Sequence, residues 1–257
     1  MRAVLIATIL AFASAAWAGD HLVGVATRPG VKVAYWWMPR PGASATLVLL
    51  PGGAGGIGYK GGVPTSSNFL VRSRDRFAAA GFDVAIVGRP SDHADLDLAF
   101  RASEPHVEDL KRVVERVRAV GGKPVWLVGT SRGTVSAAAA AIALGRSIDG
   151  VVLTSSITDP LLPQSVQKLA LDRIEVPVLV VHHKLDECPG TPPAGAELIV
   201  EGLTHAPAKQ LLLVEGGGPA YGPRCEPMHW HGYFGIEQQV VDAIAAFVRG
   251  HTQAASR

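Results

Sequence analysis

The sequence predicts a doubly wound α/β fold, a mostly parallel sheet with helices on both faces. Two observations carry this. Apolar, β-branched runs recur along the chain and are continuously apolar rather than alternating, as strands buried on both faces must be. Helical patterns lie between them, so strands and helices alternate as in a layered α/β sheet. The chain is 48% hydrophobic and only 18% charged, which fits a well-filled interior. A net charge of +2 with scattered basic residues gives no basic stripe for nucleic acid.

The first eighteen residues stand apart. Arg2 supplies a positive start, "AVLIATILAFA" an apolar run too short to span a bilayer, and Ala16-Trp17-Ala18 an A-x-A cleavage site. We expect a signal peptide over 1–18 and an exported domain, periplasmic or secreted, over 19–257. In an oxidising compartment Cys188 and Cys225 are expected to pair as a disulfide.

Strands follow at "VKVAYWW" (31–37) and "ATLVLL" (45–50), then the glycine-rich "LPGGAGGIGYKGG" (50–62), with a helical pattern beginning near Asn68. The next strand is "DVAIVG" (83–88). Over 104–120, Val107, Leu110, Val113, Val114, Val117 and Val120 share one helical face opposite Glu108, Lys111, Arg112 and Glu115. Ser103 can cap this helix and Pro105 fits its first turn. "PVWLVG" (124–129) leads into an alanine-rich helix, then come "GVVLTS" (150–155), "PVLVVHH" (177–183) and "QLLLVE" (210–215). The segment between residues 155 and 177 can hold a short helix but no large cap. A last helix carries Ile236, Val240, Val241, Ile244, Phe247 and Val248 on one face.

Chemistry in such a sheet gathers at the carboxyl ends of the strands. There the chain places Gly129-Thr130-Ser131-Arg132-Gly133, a G-x-S-x-G between strand and helix. A sharp turn exposes the serine hydroxyl at a helix N-terminus, and the flanking glycines leave room for it. Such a serine needs a histidine to take its proton and a carboxylate to orient that histidine. Asp186 follows the strand 177–183, with Asp159 in reserve. His231 precedes the last helix, with His229 as the alternative, while His182 and His183 are expected to support the acid loop.

Gly129-Thr130-Ser131-Arg132-Gly133, Asp186 and His231 in this order resemble the α/β-hydrolase superfamily across nearly the whole chain after residue 18. Its size is similar to that of dienelactone hydrolases and small bacterial esterases without a lid. Dienelactone hydrolases typically carry a cysteine nucleophile where this chain has Ser131, so lactone specificity does not transfer. The resemblance implies ester hydrolysis through an acyl-enzyme, a small-molecule ester partner and no cofactor. It also implies an oxyanion hole from the backbone N–H of Arg132 and a donor in the loop after 45–50.

That loop contains Gly53, Gly55 and Gly58 in G-x-G-x-x-G spacing. A dinucleotide loop opens straight into a helix and has an acidic residue at the end of the next strand. Here "YKGGVPTSS" intervenes and Asp83 begins the next strand. Lys60 lacks the preceding Gly and following Ser or Thr of a P-loop. The loop instead resembles the oxyanion loop of esterases, with Gly53 or Ala54 as donor.

Other readings stay open. The Arg132 side chain can anchor the turn through a salt bridge, and Tyr59, Trp230 and Tyr233 are candidates for the pocket wall or the core. An amidase or peptidase on the same fold and a non-catalytic binding protein share these residues. A zinc site from His182, His183, Asp186, Cys188, Cys225, His229 and His231 is the competitor of a different class.

Overall fold

The computed structural model describes residues 19–254, with side chains through residue 252, so the expected signal peptide lies outside the described residues. In chain order the strands are β1 (His21–Arg28), β2 (Val31–Met38), β3 (Ala45–Leu50), β4 (Tyr59–Lys60), β5 (Val63–Pro64), β6 (Phe82–Pro90), β7 (Val125–Thr130), β8 (Gly150–Thr154), β9 (Val178–His183) and β10 (Lys209–Val214). The helices are α1 (Phe69–Arg72), α2 (Arg74–Ala79), α3 (Leu98–Arg101), α4 (Glu104–Gly121), α5 (Arg132–Leu144), α6 (Gly195–Gly202) and α7 (Glu237–Ala254).

Eight strands form one sheet in the order β1-β2-β6-β3-β7-β8-β9-β10, and β4 and β5 make a separate small hairpin. From β6 to β10 every neighbouring pair is parallel, while β1 and β2 join antiparallel. The central strands β3, β7, β8 and β9 are buried along their whole length, which accounts for their unbroken apolar runs. Alternate residues serve two cores. Val48 and Leu50 join α4 and α5 on one face, whereas Leu47 and Leu49 join Phe77 of α2 and Ile244 of α7 on the other.

Helix α4 is built as its pattern predicts. Ser103 caps it through His106 N–H, proline sits in its first turn, and Gly122 ends it at φ 62° in the left-handed region. Leu110, Val113, Val114 and Val117 are buried, each stabilising by about 1.5–3 kcal/mol relative to exposure. Val120 departs from the predicted face and is exposed. Between β8 and β9 there are two short 3₁₀ turns, Val166–Lys168 and Leu171–Arg173, and no cap.

Strand β1 has no counterpart in the sequence reading. It is a largely exposed edge strand, and its Thr27 and Arg28 side chains donate to buried Asp109 of α4. Its alternation is too weakly apolar to register as a buried strand. The four-residue α3 and the short α6 likewise carry little periodic signal. No helix among the described residues is long and apolar enough to cross a membrane.

Candidate active site

Ser131 lies between β7 and α5 with φ 52° and ψ −126°. Such torsions are strained for a residue with a Cβ and persist only where surrounding structure enforces them. The enforcement is visible. Ser131 N–H donates to Thr154 O at 3.0 Å, and Thr134 holds Ser131 O with its N–H at 2.9 Å and its hydroxyl at 2.6 Å. The flanking glycines are required by contact. A Cβ at Gly133 would fall 2.0 Å from Leu50 O, and one at Gly129 would fall 2.4 Å from Gly133 O.

Ser131 opens onto a cavity of about 600 Å³ that His231 also lines. The Ser131 hydroxyl makes no hydrogen bond within the protein among the described residues, leaving it open to this cavity. Across it, His231 Nδ1 meets Asp186 Oδ2 at 2.9 Å and Thr191 Oγ1 at 3.1 Å. The Thr191 hydroxyl itself donates to Asp186 Oδ2 at 2.9 Å, and Cys188 N–H donates to Asp186 Oδ1 at 3.0 Å. Asp186 is therefore an acceptor on all sides, and Nδ1 of His231 carries the proton. Nε2 is left as the basic nitrogen.

Burial alone would raise the Asp186 carboxyl. Hydrogen bonds from His182 and His231 outweigh it and hold the group well below the usual carboxylate range. His182 Nε2 lies 3.3 Å from Asp186 Oδ2 and 2.9 Å from Thr191 O. His183 accepts Leu185 N–H at Nδ1 and donates from Nε2 to Gly216 O at 3.0 Å, a neutral tautomer, and burial lowers its pKa. Both histidines brace the acid loop, as the sequence suggests.

Two side chains in this wall, Thr191 and Ser155, carry no signal in the sequence. Ser155, at φ 43° after β8, donates its hydroxyl to His231 O at 2.8 Å. Tyr233, a pocket-or-core candidate, is fully buried. Its hydroxyl accepts Ser155 N–H and donates to Val181 O, both at 2.9 Å. Burial, the largest influence, raises its pKa. Trp230 stacks on His183 rather than lining the cavity, and Tyr59 is half exposed against Trp36 on the β4–β5 hairpin. Asp159 does not reach His231, its carboxylate accepting Leu161 N–H instead. His229 stands edge-on to Trp230, its Nε2 4.0 Å from Glu187.

The opposite wall is backbone. After β3 the chain turns at Gly52–Gly55, with Gly55 N–H donating to Gly52 O at 3.0 Å and Gly53 at φ 55°. Gly52, Gly53 and Ala54 line the cavity. Behind them, buried Arg101 donates to Leu96 O at 2.9 Å, Ser136 Oγ at 2.9 Å, Pro51 O at 3.1 Å and Gly53 O at 3.2 Å. Burial pulls its pKa down to about 9, and no carboxylate pairs with it among the described residues. In a trans peptide the N–H points opposite to its C=O. Gly53 O is drawn towards Arg101, so Ala54 N–H points away from it. Arg132 provides the first N–H of α5, a group without an intrahelical acceptor. Its side chain reaches Asp95 at only 3.7 Å with both partners well exposed, a weak anchor at most.

Cys188 and Cys225 form a disulfide, joining the Asp186 loop to the segment before His231. That corrects the zinc reading, since neither cysteine is a free thiolate ligand. Among the described residues no three His, Cys, Asp or Glu side chains are grouped as a metal site.

No family model matches the sequence, and no curated protein does. Solved structures match its fold. A dienelactone hydrolase from Anabaena variabilis superposes with a TM-score of 0.66 at 16% identity, covering 90% of this chain and 97% of that one. A lidless α/β serine hydrolase, XC6422 from Xanthomonas campestris, gives 0.61 at 18%, covering 90% and 94%. Est1E from Butyrivibrio proteoclasticus gives 0.62 at 16%, covering 91% and 99%. The strand order and these likenesses give the chain the α/β-hydrolase fold, without a lid.

Proposed function

We propose that this protein is a serine hydrolase of small carboxylic esters, with Ser131 as nucleophile, His231 as general base and Asp186 as its orienting carboxylate. One observation carries the reading: a strained, strand-to-helix serine shares a cavity with a histidine whose Nδ1 is committed to a buried carboxylate. Nε2 of His231 takes the proton as Ser131 Oγ adds to the ester carbonyl. The tetrahedral intermediate collapses, and the alkoxide leaves with the proton from His231. Water, deprotonated by Nε2, then adds to the acyl-enzyme, and Ser131 Oγ leaves as its proton is returned. Arg132 N–H and Ala54 N–H, with Gly53 as the alternative, face the developing oxyanion. Catalytic contacts are often loose without substrate, so an unengaged Ser131 hydroxyl is compatible with this scheme.

The cavity presents a mixed wall to a small substrate. Beside backbone its lining includes the polar Thr65, Ser66, Ser67 and Arg89 together with the apolar Phe69 and Pro227. Export is part of the proposal, supported by the disulfide, which persists in oxidising compartments.

A fluorophosphonate probe tests the core of the reading. Wild type should be labelled at Ser131 and should hydrolyse p-nitrophenyl acetate, with both lost in Ser131→Ala. A folded wild-type protein that is neither labelled nor active would falsify it.

A further inference from the structure

Asn68 precedes α1, and its side-chain Oδ1 accepts Leu70 N–H at 3.1 Å. Its own N–H donates to Ser66 Oγ at 3.2 Å. The bond to Leu70 fixes the orientation of the amide, because a flipped side chain would set two donors against each other. The Nδ2 group then has two N–H donors and no protein acceptor among the described residues, while Asn68 lines the cavity. Its neighbours are already engaged: the Thr65 hydroxyl donates to Gly58 O, and Ser66 Oγ accepts from Asn68 itself.

Gly52 locates the free amide. A Cβ built there would lie 2.8 Å from Ser131 Cβ and 3.5 Å from Asn68 Nδ2. Nucleophile and amide thus border the same small space, kept open because residue 52 has no side chain. Gly53 and Ala54, the next residues of the turn, line the same cavity. Capping alone does not demand asparagine, since Asp and Ser cap equally well. What distinguishes asparagine from both is the amide N–H.

We propose that Asn68 is a further catalytic residue, its Nδ2–H donating to the substrate oxygen that gains negative charge when Ser131 attacks. It joins Arg132 and Ala54 in a three-donor oxyanion site, and this rests on the hydrolase reading above. No bond to Asn68 is made or broken. The amide gains most when the oxygen is charged, so it acts on kcat more than on KM.

Asn68→Ser and Asn68→Asp both retain a capping oxygen and both remove the amide donor. With p-nitrophenyl acetate, N68S should lose about 10-fold in kcat, with KM within about twofold of wild type. N68D should lose at least about tenfold more, because its carboxylate faces the developing oxyanion. Thermal midpoints of both should stay at the wild-type value. A purely structural cap predicts the reverse, with N68D as good as wild type. An N68D kcat within about twofold of wild type overturns the assignment while leaving the hydrolase reading intact. A wild type that turns over no ester and is not labelled at Ser131 overturns both.

Discussion

The two walls of the cavity are held by different means. The β3 loop is short, rich in glycine and made of backbone, and it is pinned from behind by one buried guanidinium. The His231 wall consists of side chains on longer loops, held by a disulfide, by Thr191 and by Ser155. A backbone wall needs few residues but tolerates almost no added atoms. A side-chain wall brings together residues far apart in sequence and needs several independent restraints. If the comparison is right, perturbing the first should cost turnover through small displacements. Perturbing the second should cost turnover and stability together.

The largest effect is expected from Asp186→Asn. It removes the acceptor that fixes the His231 tautomer, so kcat should fall by about 10³- to 10⁴-fold. Stability supplies a second signature. The Asp186 pKa is depressed in the folded state, so its contribution is present above the unfolded value near 4 and is lost as pH falls below it. Acid unfolding followed by circular dichroism should therefore be less steep below about pH 4 in D186N than in wild type. An equally steep acid limb would mean that Asp186 is not the strongly held carboxylate of this wall.

Next comes the disulfide, whose cysteines are 37 residues apart. Cys188→Ser with Cys225→Ser should lower unfolding stability by about 4 kcal/mol, from loop-closure entropy. Because Cys188 N–H holds Asp186 and Cys225 lines the cavity, kcat should fall along with the thermal midpoint. Reducing agent should reproduce both losses as two thiols appear. Two titratable thiols in the oxidised protein would remove this restraint from the comparison.

Arg101→Met probes the backbone wall. It leaves the carbonyls of Pro51, Gly53 and Leu96 without their donor while removing a costly buried cation. Stability should shift by about 1–3 kcal/mol and kcat should fall about 10-fold. Lysine should rescue little, since a point charge cannot span four acceptors in the guanidinium's planar geometry. A variant with wild-type kcat would show that the turn holds itself.

The same contrast explains what could be seen in the sequence. The Ser131 turn is specified locally by a strand, two glycines and a helix start, so five consecutive residues announce it. Asp186 and His231 are legible from strand order, because the topology brings those strand ends together. Arg101, Ser155 and Thr191 carry no such signal. An arginine in a four-residue helix resembles a surface residue until the fold buries it. Thr191 resembles any loop threonine until its hydroxyl meets Asp186. Edge strand β1 escaped for the related reason that its role is to tie down α4 through Asp109, a contact 81 positions away from Arg28. Position set by long-range contact leaves no periodicity to read.

The smallest effect, and the finest test of the side-chain wall, is Thr191→Val. The change preserves volume and removes one hydroxyl that touches both Asp186 and His231. A hydrogen bond of this kind contributes about 0.5–1.5 kcal/mol net, so the thermal midpoint should drop slightly. His182 and Cys188 still hold the carboxylate, so Asp186 should stay ionised and kcat should fall only about two- to fivefold. Combining Thr191→Val with Asp186→Asn should add little to the larger loss, because both act through the orientation of His231. Fully additive losses would instead mean that Thr191 acts on the substrate directly, and the wall would have to be redrawn with its hydroxyl facing the cavity.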